Sequence, residues 1–441
     1  MGVAKTNICI SGSGGSASGN VDLPLNLKSF TAANGKNKVT LAWDFTNTND
    51  LTGVQIAYKT GAYPTSPTDG NVVTITGSTT KTKEITGLTN GTKYYFRAYP
   101  YREVSGVKYY QTYNANCKVT ATPTEVTEGV IDKDGSKFYV LPKGSWADYG
   151  VGTSTETHPM FKVGDKELDY VAIGIYEASV ESDKAVSKKG VAPKASVTWD
   201  QANTYCKNAG TGWHNITRLE WASIANWCAK HGITPTGNIS GGSVHTTGSG
   251  DATYTHNGKT DGITDLCGNV WEWNSGFRLV QGELQVISKT GVFDNSAADS
   301  SLDQSASSPY WYAVDGKTGA LIKPNGSGTT ANSLKAGASG WTMGTASAYT
   351  KGSGGFYPYG CDSTICEKAK NILIALGLLK PSTLTTDPGD YLYLAKNTEI
   401  LGYAGGLYDN GASAGVFAFY CGGGRSNSYA YIGFRPAFVE L

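Results

Sequence analysis

The sequence predicts a β-sandwich followed by an α+β domain rich in irregular loops. Three observations carry this expectation. Glycine and tyrosine are abundant, at 57 and 27 of 441 residues, and short apolar runs alternate with Gly, Ser, Thr and Asn, the composition of a β-rich, loop-heavy protein. Residues 21–123 alternate apolar and polar side chains with the period of two that half-buried strands require. Beyond residue 124 helical periodicity appears in three places, separated by long Gly/Ser/Thr-rich loops such as 236–262 and 325–355. At 441 residues the chain exceeds one ordinary hydrophobic core.

The elements follow in order. Residues 1–20, with "SGSGGSASGN", read as a flexible tail. In 21–123, "KVTLAWDF" sets Val39, Leu41 and Trp43 on one strand face, followed by "VQIAYKT" and "KTKEITGLTNGTKYYFRAYPYR". Residues 124–134 are polar, lack an apolar period and read as a linker to a second domain at 135–441. There, "VTWDQANTYCKNA" is a helix with Thr198 or Asp200 at its start. "TRLEWASIANWCAKHG" is a second, with Thr217 three residues before Glu220 as a capping box and Gly232 as its stop. A third covers about 364–379. The compact block "IGFRPAF" near the end reads as one strand.

Several function classes are excluded by composition. A net charge of +1 gives no basic field for nucleic acid or an anionic membrane. No run of about twenty apolar residues exists to insert into a bilayer. The first residues lack the apolar h-region of a secretory signal, so mostly free thiols are expected among eight scattered cysteines. Five histidines (158, 214, 231, 245, 256) show no H-x-x-x-H spacing, and neither a phosphate loop nor a Ser-His-Asp set can be read. No catalytic residue, metal or cofactor is expected.

Two resemblances refine this reading. Trp43 and the run Leu88-x-x-Gly91-Thr92-x-Tyr94 resemble a fibronectin type III domain, which implies a spacer module with Tyr94 as the tyrosine-corner residue. "GWHNITRLEWASIANWC", "DLCGNVWEW" and "IGFRPAF", in that order, resemble the C-type-lectin-like fold shared with formylglycine-generating enzymes. That enzyme branch uses two cysteines, four residues apart, shortly before the "GFR" block. Residues 412–431 hold only Cys421, and the Cys361–Cys366 pair lies too early. The oxidase therefore ranks last among the alternatives. A calcium site of the enzyme branch would match Asn269 and Glu272, and an ion there stays open.

The stretch "GGLYDNGASAGVFAFYCGGGRSNSYAYIGFRPAF" is closer to another branch of the fold, the variable proteins of diversity-generating retroelements. In that family the segment before "IGFRPA" is rewritten by error-prone copying of template adenines, many in asparagine codons. Such copying never yields Lys, Glu, Gln, Met or Trp, and residues 401–439 contain none of the five. The resemblance implies a ligand-binding variable face built from Leu407, Tyr408, Asp409, Asn410, Ser413, Tyr420, Cys421, Gly422, Gly423, Tyr429, Ala430 and Tyr431. Tyrosine suits such a face, offering large amphipathic area with two side-chain torsions to freeze. The implied function is non-enzymatic binding of a host cell-surface receptor, protein or glycan, by a phage tail-fibre component on the virion. A bacterial surface adhesin is the alternative. A homo-oligomer, trimeric by analogy with fibre tips, is the implied assembly.

Overall fold

The computed structural model describes residues 22–112, 116–123, 127–346, 349–351 and 355–441. The expected tail at 1–20 and the first linker residues, 124–126, lie outside the described residues. The chain divides into two compact units, 1–126 and 127–441.

The first unit contains β1 (Leu27–Gly35), β2 (Lys38–Phe45), β3 (Gly53–Thr60), β4 (Asn71–Thr76), β5 (Thr82–Thr86), β6 (Tyr94–Val104), β7 (Val107–Tyr110) and β8 (Lys118–Ala121). One sheet runs β1-β2-β5; the other runs β4-β3-β6, with β7 and β8 both paired to β6. Alternate residues of both sheets share one core: Val39, Leu41 and Trp43 from β2 meet Val54 and Ile56 from β3 and Phe96 from β6. The Tyr94 hydroxyl accepts the Thr89 N–H at 3.2 Å, tying the chain before β6 to the strand itself.

In the second unit, the strand Gly129–Lys133 pairs antiparallel with Ser136–Pro142. The expected linker at 124–134 is thus partly a hairpin. Its signal is the two-residue loop Asp134-Gly135, both at positive φ (50° and 77°), which matches the twist of the flanking strands. Three helices follow where helical periodicity appears: α1 (Trp199–Ala209), α2 (Arg218–His231) and α3 (Glu367–Ala375). The first two open with full capping boxes, Thr198 with Gln201 and Thr217 with Glu220. The third is shorter than expected. Cys366 caps its start, and Gly377 beyond its end has φ 58°, where a Cβ would meet the Arg218 guanidinium at 2.6 Å.

The "IGFRPAF" block is two strands in two sheets, not one. Ile432–Phe434 runs parallel to Trp271–Trp273 at the edge of a six-stranded sheet. Pro436–Phe438 lies between Trp213–Asn215 and Tyr170–Gly174 in a five-stranded sheet. Arg435 stands at the crossing. Its Nε and Nη2 donate to the two Glu272 oxygens at 2.9 and 2.6 Å. Nη1 donates to the carbonyls of Gly174 and Ile175, and Nη2 also to that of Thr264.

The second unit carries its own large core, from Tyr139 to Val439. A fragment spanning Thr127–Leu441 is therefore expected to fold alone and to melt in one cooperative transition. Circular dichroism melts check this; an insoluble or non-cooperative fragment alongside a stable full chain overturns it.

Candidate ligand-binding face

The six-stranded sheet has the order 349–351, Leu392–Ala395, Gly415–Gly423, Leu401–Gly405, Trp271–Trp273, Ile432–Phe434. Because side chains alternate across a strand, one face takes Leu392, Leu394, Phe417, Phe419 and Cys421 into the main core. The other face carries a row in register: Tyr393 opposite Tyr420, Tyr420 opposite Tyr403, Tyr403 opposite Trp273, Trp273 opposite Phe434. Helix α1 and Val197 cover the Trp273–Phe434 end, with Trp199, Ala202 and Cys206 packed there. The Tyr393–Tyr420 end is left half-exposed.

The expected site residues divide along this geometry. Tyr420, Gly422, Tyr429, Ala430 and Tyr431 lie on or beside the open face, Tyr429 being 47% exposed. Tyr429 and Tyr431 stack on each other with centroids 5.5 Å apart. Leu407, Tyr408, Asp409, Asn410 and Ser413 form a partly exposed loop. Backbone bonds hold this loop: Tyr408 N–H to Asn269 O, Gly411 N–H to Ile239 O, and Tyr391 N–H to Ser413 O. The Asn410 side chain accepts the Leu407 N–H at 3.0 Å and so shapes the loop it belongs to. Two expectations are corrected. Cys421 is fully buried, pointing to the Ile400 carbonyl, and burial holds its thiol well above the usual range. Gly423 is also buried; a Cβ there would stand 3.2 Å from Tyr403 and 3.3 Å from Trp273. Cys421 falls one residue out of phase with Tyr420, on the inward side of the pleat, whereas Gly423, past the register slip between Leu401 and Tyr403, lies packed beneath the aromatic row.

The support beneath the face is polar and fully engaged. The Arg218 guanidinium lies 4.0 Å from the Phe419 ring centroid. It donates to the carbonyls of Leu376 and Gly377 and to Asn274 Oδ1. Burial draws its pKa down to about 9, so it stays protonated at neutral pH. Asp390 Oδ2 accepts the Phe417 N–H at 2.7 Å where register slips: Ala404 faces Phe419 but Gly405 faces Gly415. Such an extra loop of strand is a β-bulge, held here by a carboxylate. Arg425 ties the 424–428 turn to the body through Glu399 at 2.7 Å and Asp200 at 3.2 Å, over the Trp199 ring.

Sequence reasoning missed Tyr391, Tyr393 and Tyr403. "YLYLA" at 391–395 does hold the signal, tyrosine outward and leucine inward with period two. The residues matching a calcium site do not fit one. Both Glu272 oxygens are taken by Arg435. Asn269 Oδ1 accepts from Asn238 and the His245 N–H, and its Nδ2 donates to Glu177. Among the described residues no group of three or more His, Cys, Asp or Glu is arranged to hold a metal ion.

No family model and no curated protein matches the chain. Solved structures similar to it include the Major Tropism Determinant M1 variant, at 15% identity and TM-score 0.29, covering 94% of this chain and 86% of that one. The I1 variant of the same protein shows 13% identity and TM-score 0.28 over 78% of this chain and 81% of its own. Treponema denticola variable protein 1 shows 12% identity and TM-score 0.27 over 71% of this chain and 100% of its own. These neighbours are diversity-generating retroelement variable proteins. At such TM-scores the superpositions are loose.

Two expectations follow from the geometry. Tyr408→Ala and Tyr429→Ala should change stability by no more than about 0.5 kcal/mol, as substitutions away from a packed core do. Trp273→Ala and Phe434→Ala, both fully buried, should lose about 3 kcal/mol or more by opening cavities. Thermal melts compare the two pairs, and equal losses would sink the division between face and scaffold.

The second concerns Asp390, whose carboxyl burial pushes up to about 7 against the pull of the Phe417 and Ala418 N–H groups. The unfolded chain releases this proton near the ordinary value of 3.8, so between these values the folded state binds more protons. Stability from this group is then lost as pH rises through that window, by at most about 1.4 kcal/mol per pH unit. Melts of the wild type and Asp390→Asn between roughly pH 4.5 and 7.5 should show the wild type falling relative to the variant; parallel curves refute the assignment.

Proposed function

We propose that the chain is a non-enzymatic receptor-binding protein whose C-terminal surface is diversified to change what it binds. The observation that carries this reading is the split of residues 407–431. Backbone hydrogen bonds and inward alternates fasten the segment, while tyrosines and small residues stand outward on a rigid sheet. A recognition surface needs side chains that can change without unfolding what holds them. The absence of Lys, Glu, Gln, Met and Trp from 401–439 fits rewriting by adenine mutagenesis.

In this reading the second unit is a C-type-lectin-like domain presenting the face. The first is a fibronectin type III spacer, a reading supported by its β1-β2-β5 sheet set against β4-β3-β6-β8 and by the Tyr94 corner. The partner is a receptor on a host cell, engaged from a phage virion. Bacterial surface display is the alternative compartment, which flanking tail genes or their absence distinguish. Cys421 lies too deep for oxidase chemistry at an exposed thiolate.

The test is the flanking DNA. A second, asparagine-codon-rich near copy of codons 403–435 is expected beside a reverse-transcriptase gene. A complete flanking sequence without such a copy overturns the diversification.

A further inference from the structure

The open end of the six-stranded sheet is built from more than the segment expected to vary. Tyr391, immediately before the strand Leu392–Ala395, and Tyr393, within it, lie outside 403–435. Their neighbours Leu392 and Leu394 are fully buried, which sends both tyrosines to the opposite face. There they stack. Tyr393 meets Tyr420 with centroids 4.8 Å apart and planes at 15°. Tyr420 meets Tyr403 at 5.0 Å and 13°. Tyr391 lies 6.4 Å from Tyr393, at 3°.

The spacing says how these rings stand. Neighbouring strands lie about 4.8 Å apart, so rings repeating at that interval along the strand-pairing direction stand up from the sheet like slats. The facing sides of Tyr393, Tyr420 and Tyr403 are occupied by one another, which turns ring edges and hydroxyls outward. Burial and neighbouring hydroxyls raise the Tyr391 and Tyr420 phenols above their ordinary value, so the hydroxyls stay neutral. A saccharide bound by aromatic residues needs an open π face to stack on, and the faces between Tyr393, Tyr420 and Tyr403 are closed by stacking. A protein surface needs neutral hydrogen-bonding groups on rigid, apolar supports. Within 401–439 the exposed charged side chain is Asp409, because Arg425 and Arg435 are paired. The segment thus leans toward a partner with basic groups.

We propose that Tyr391 and Tyr393 are ligand-binding residues, a constant half of the recognition face whose ring edges and hydroxyls engage a protein partner bearing basic groups. The inference rests on the receptor-binding reading above. The constant tyrosines supply preorganised contact area that any version of the variable half can use, since stacked rings have little side-chain freedom left to lose.

The test displays the full chain with Asp409 kept and positions 408, 429, 430 and 431 randomised. It is panned against lysozyme, a basic protein, and separately against dextran. Lysozyme binders are expected. Introducing Tyr391→Ala or Tyr393→Ala should weaken them about tenfold or more, as loss of an aromatic anchor does. Tyr391→Phe should weaken them roughly threefold with an unchanged melting temperature, since it removes a hydroxyl and keeps the packing. Binders that stay within about twofold through these changes, yet fail when the randomised positions revert, overturn this inference and leave the receptor-binding reading standing. A folded library with no binder to either probe overturns both. Enrichment on dextran and not on lysozyme overturns the protein partner.

Discussion

The second unit is organised around one buried ion pair. Arg435 and Glu272 are both fully enclosed, a placement that is unfavourable for either charge alone. Burial works against the guanidinium, but attraction to Glu272, with Glu177 and Asp265 nearby, holds its pKa above the ordinary value. The pair is made tolerable by completeness: two carboxylate oxygens and three backbone carbonyls receive the guanidinium's hydrogens. Breaking such a pair from one side typically costs about 3–5 kcal/mol. Its position matters as much as its strength, for Arg435 separates the two short strands that belong to different sheets. Fixing that one side chain sets the angle at which the chain leaves the sheet of the face and enters the next.

The face inherits its rigidity from this joint. Ile432–Phe434 completes the six-stranded sheet, Trp273 donates its Nε1 hydrogen to the Val197 carbonyl, and the aromatic row begins from that closed end. Moving along it, cover gives way to solvent: Phe434 and Trp273 lie beneath α1, Tyr403 is nearly buried, and Tyr420 and Tyr393 are open on one side. A gradient of this kind lets exposed rings borrow order from buried ones. Below them, Arg218, Asp390 and Phe419 occupy the reverse of the sheet, so disturbance at the surface meets a floor with few voids to yield into.

Much of this architecture is legible in the amino-acid sequence. Thr198 with Gln201, Thr217 with Glu220, and the period-two strands of the first unit are local signals, and local signals survive into the fold. Trp271 and Trp273 announce themselves as core by size and spacing. The misses share a cause. Whether Cys421 points up or down depends on strand register, and one residue of slip exchanges the faces; only the pairing of Tyr420 with Tyr403 decides it. Tyr391 and Tyr393 escape a reading guided by the resemblance, which points to the segment after them, although their alternation with leucine is plain. That "IGFRPAF" serves two sheets cannot be read from seven residues, since Arg435 needs Glu272, distant in sequence, to turn the corner.

The internal position of Pro436–Phe438 bears on biosynthesis. A strand with partners on both sides, Trp213–Asn215 and Tyr170–Gly174, cannot be omitted and leave a closed core. A ribosome that stops or shifts frame within 407–431 releases a chain with a slot in one sheet and no Arg435 to meet Glu272. Such a product exposes unpaired strand edges and an isolated buried carboxylate, the features that proteases and chaperones detect in misfolded chains. Reading codons 407–431 in frame is thereby made a condition for the molecule's persistence, and defective copies remove themselves before they can compete.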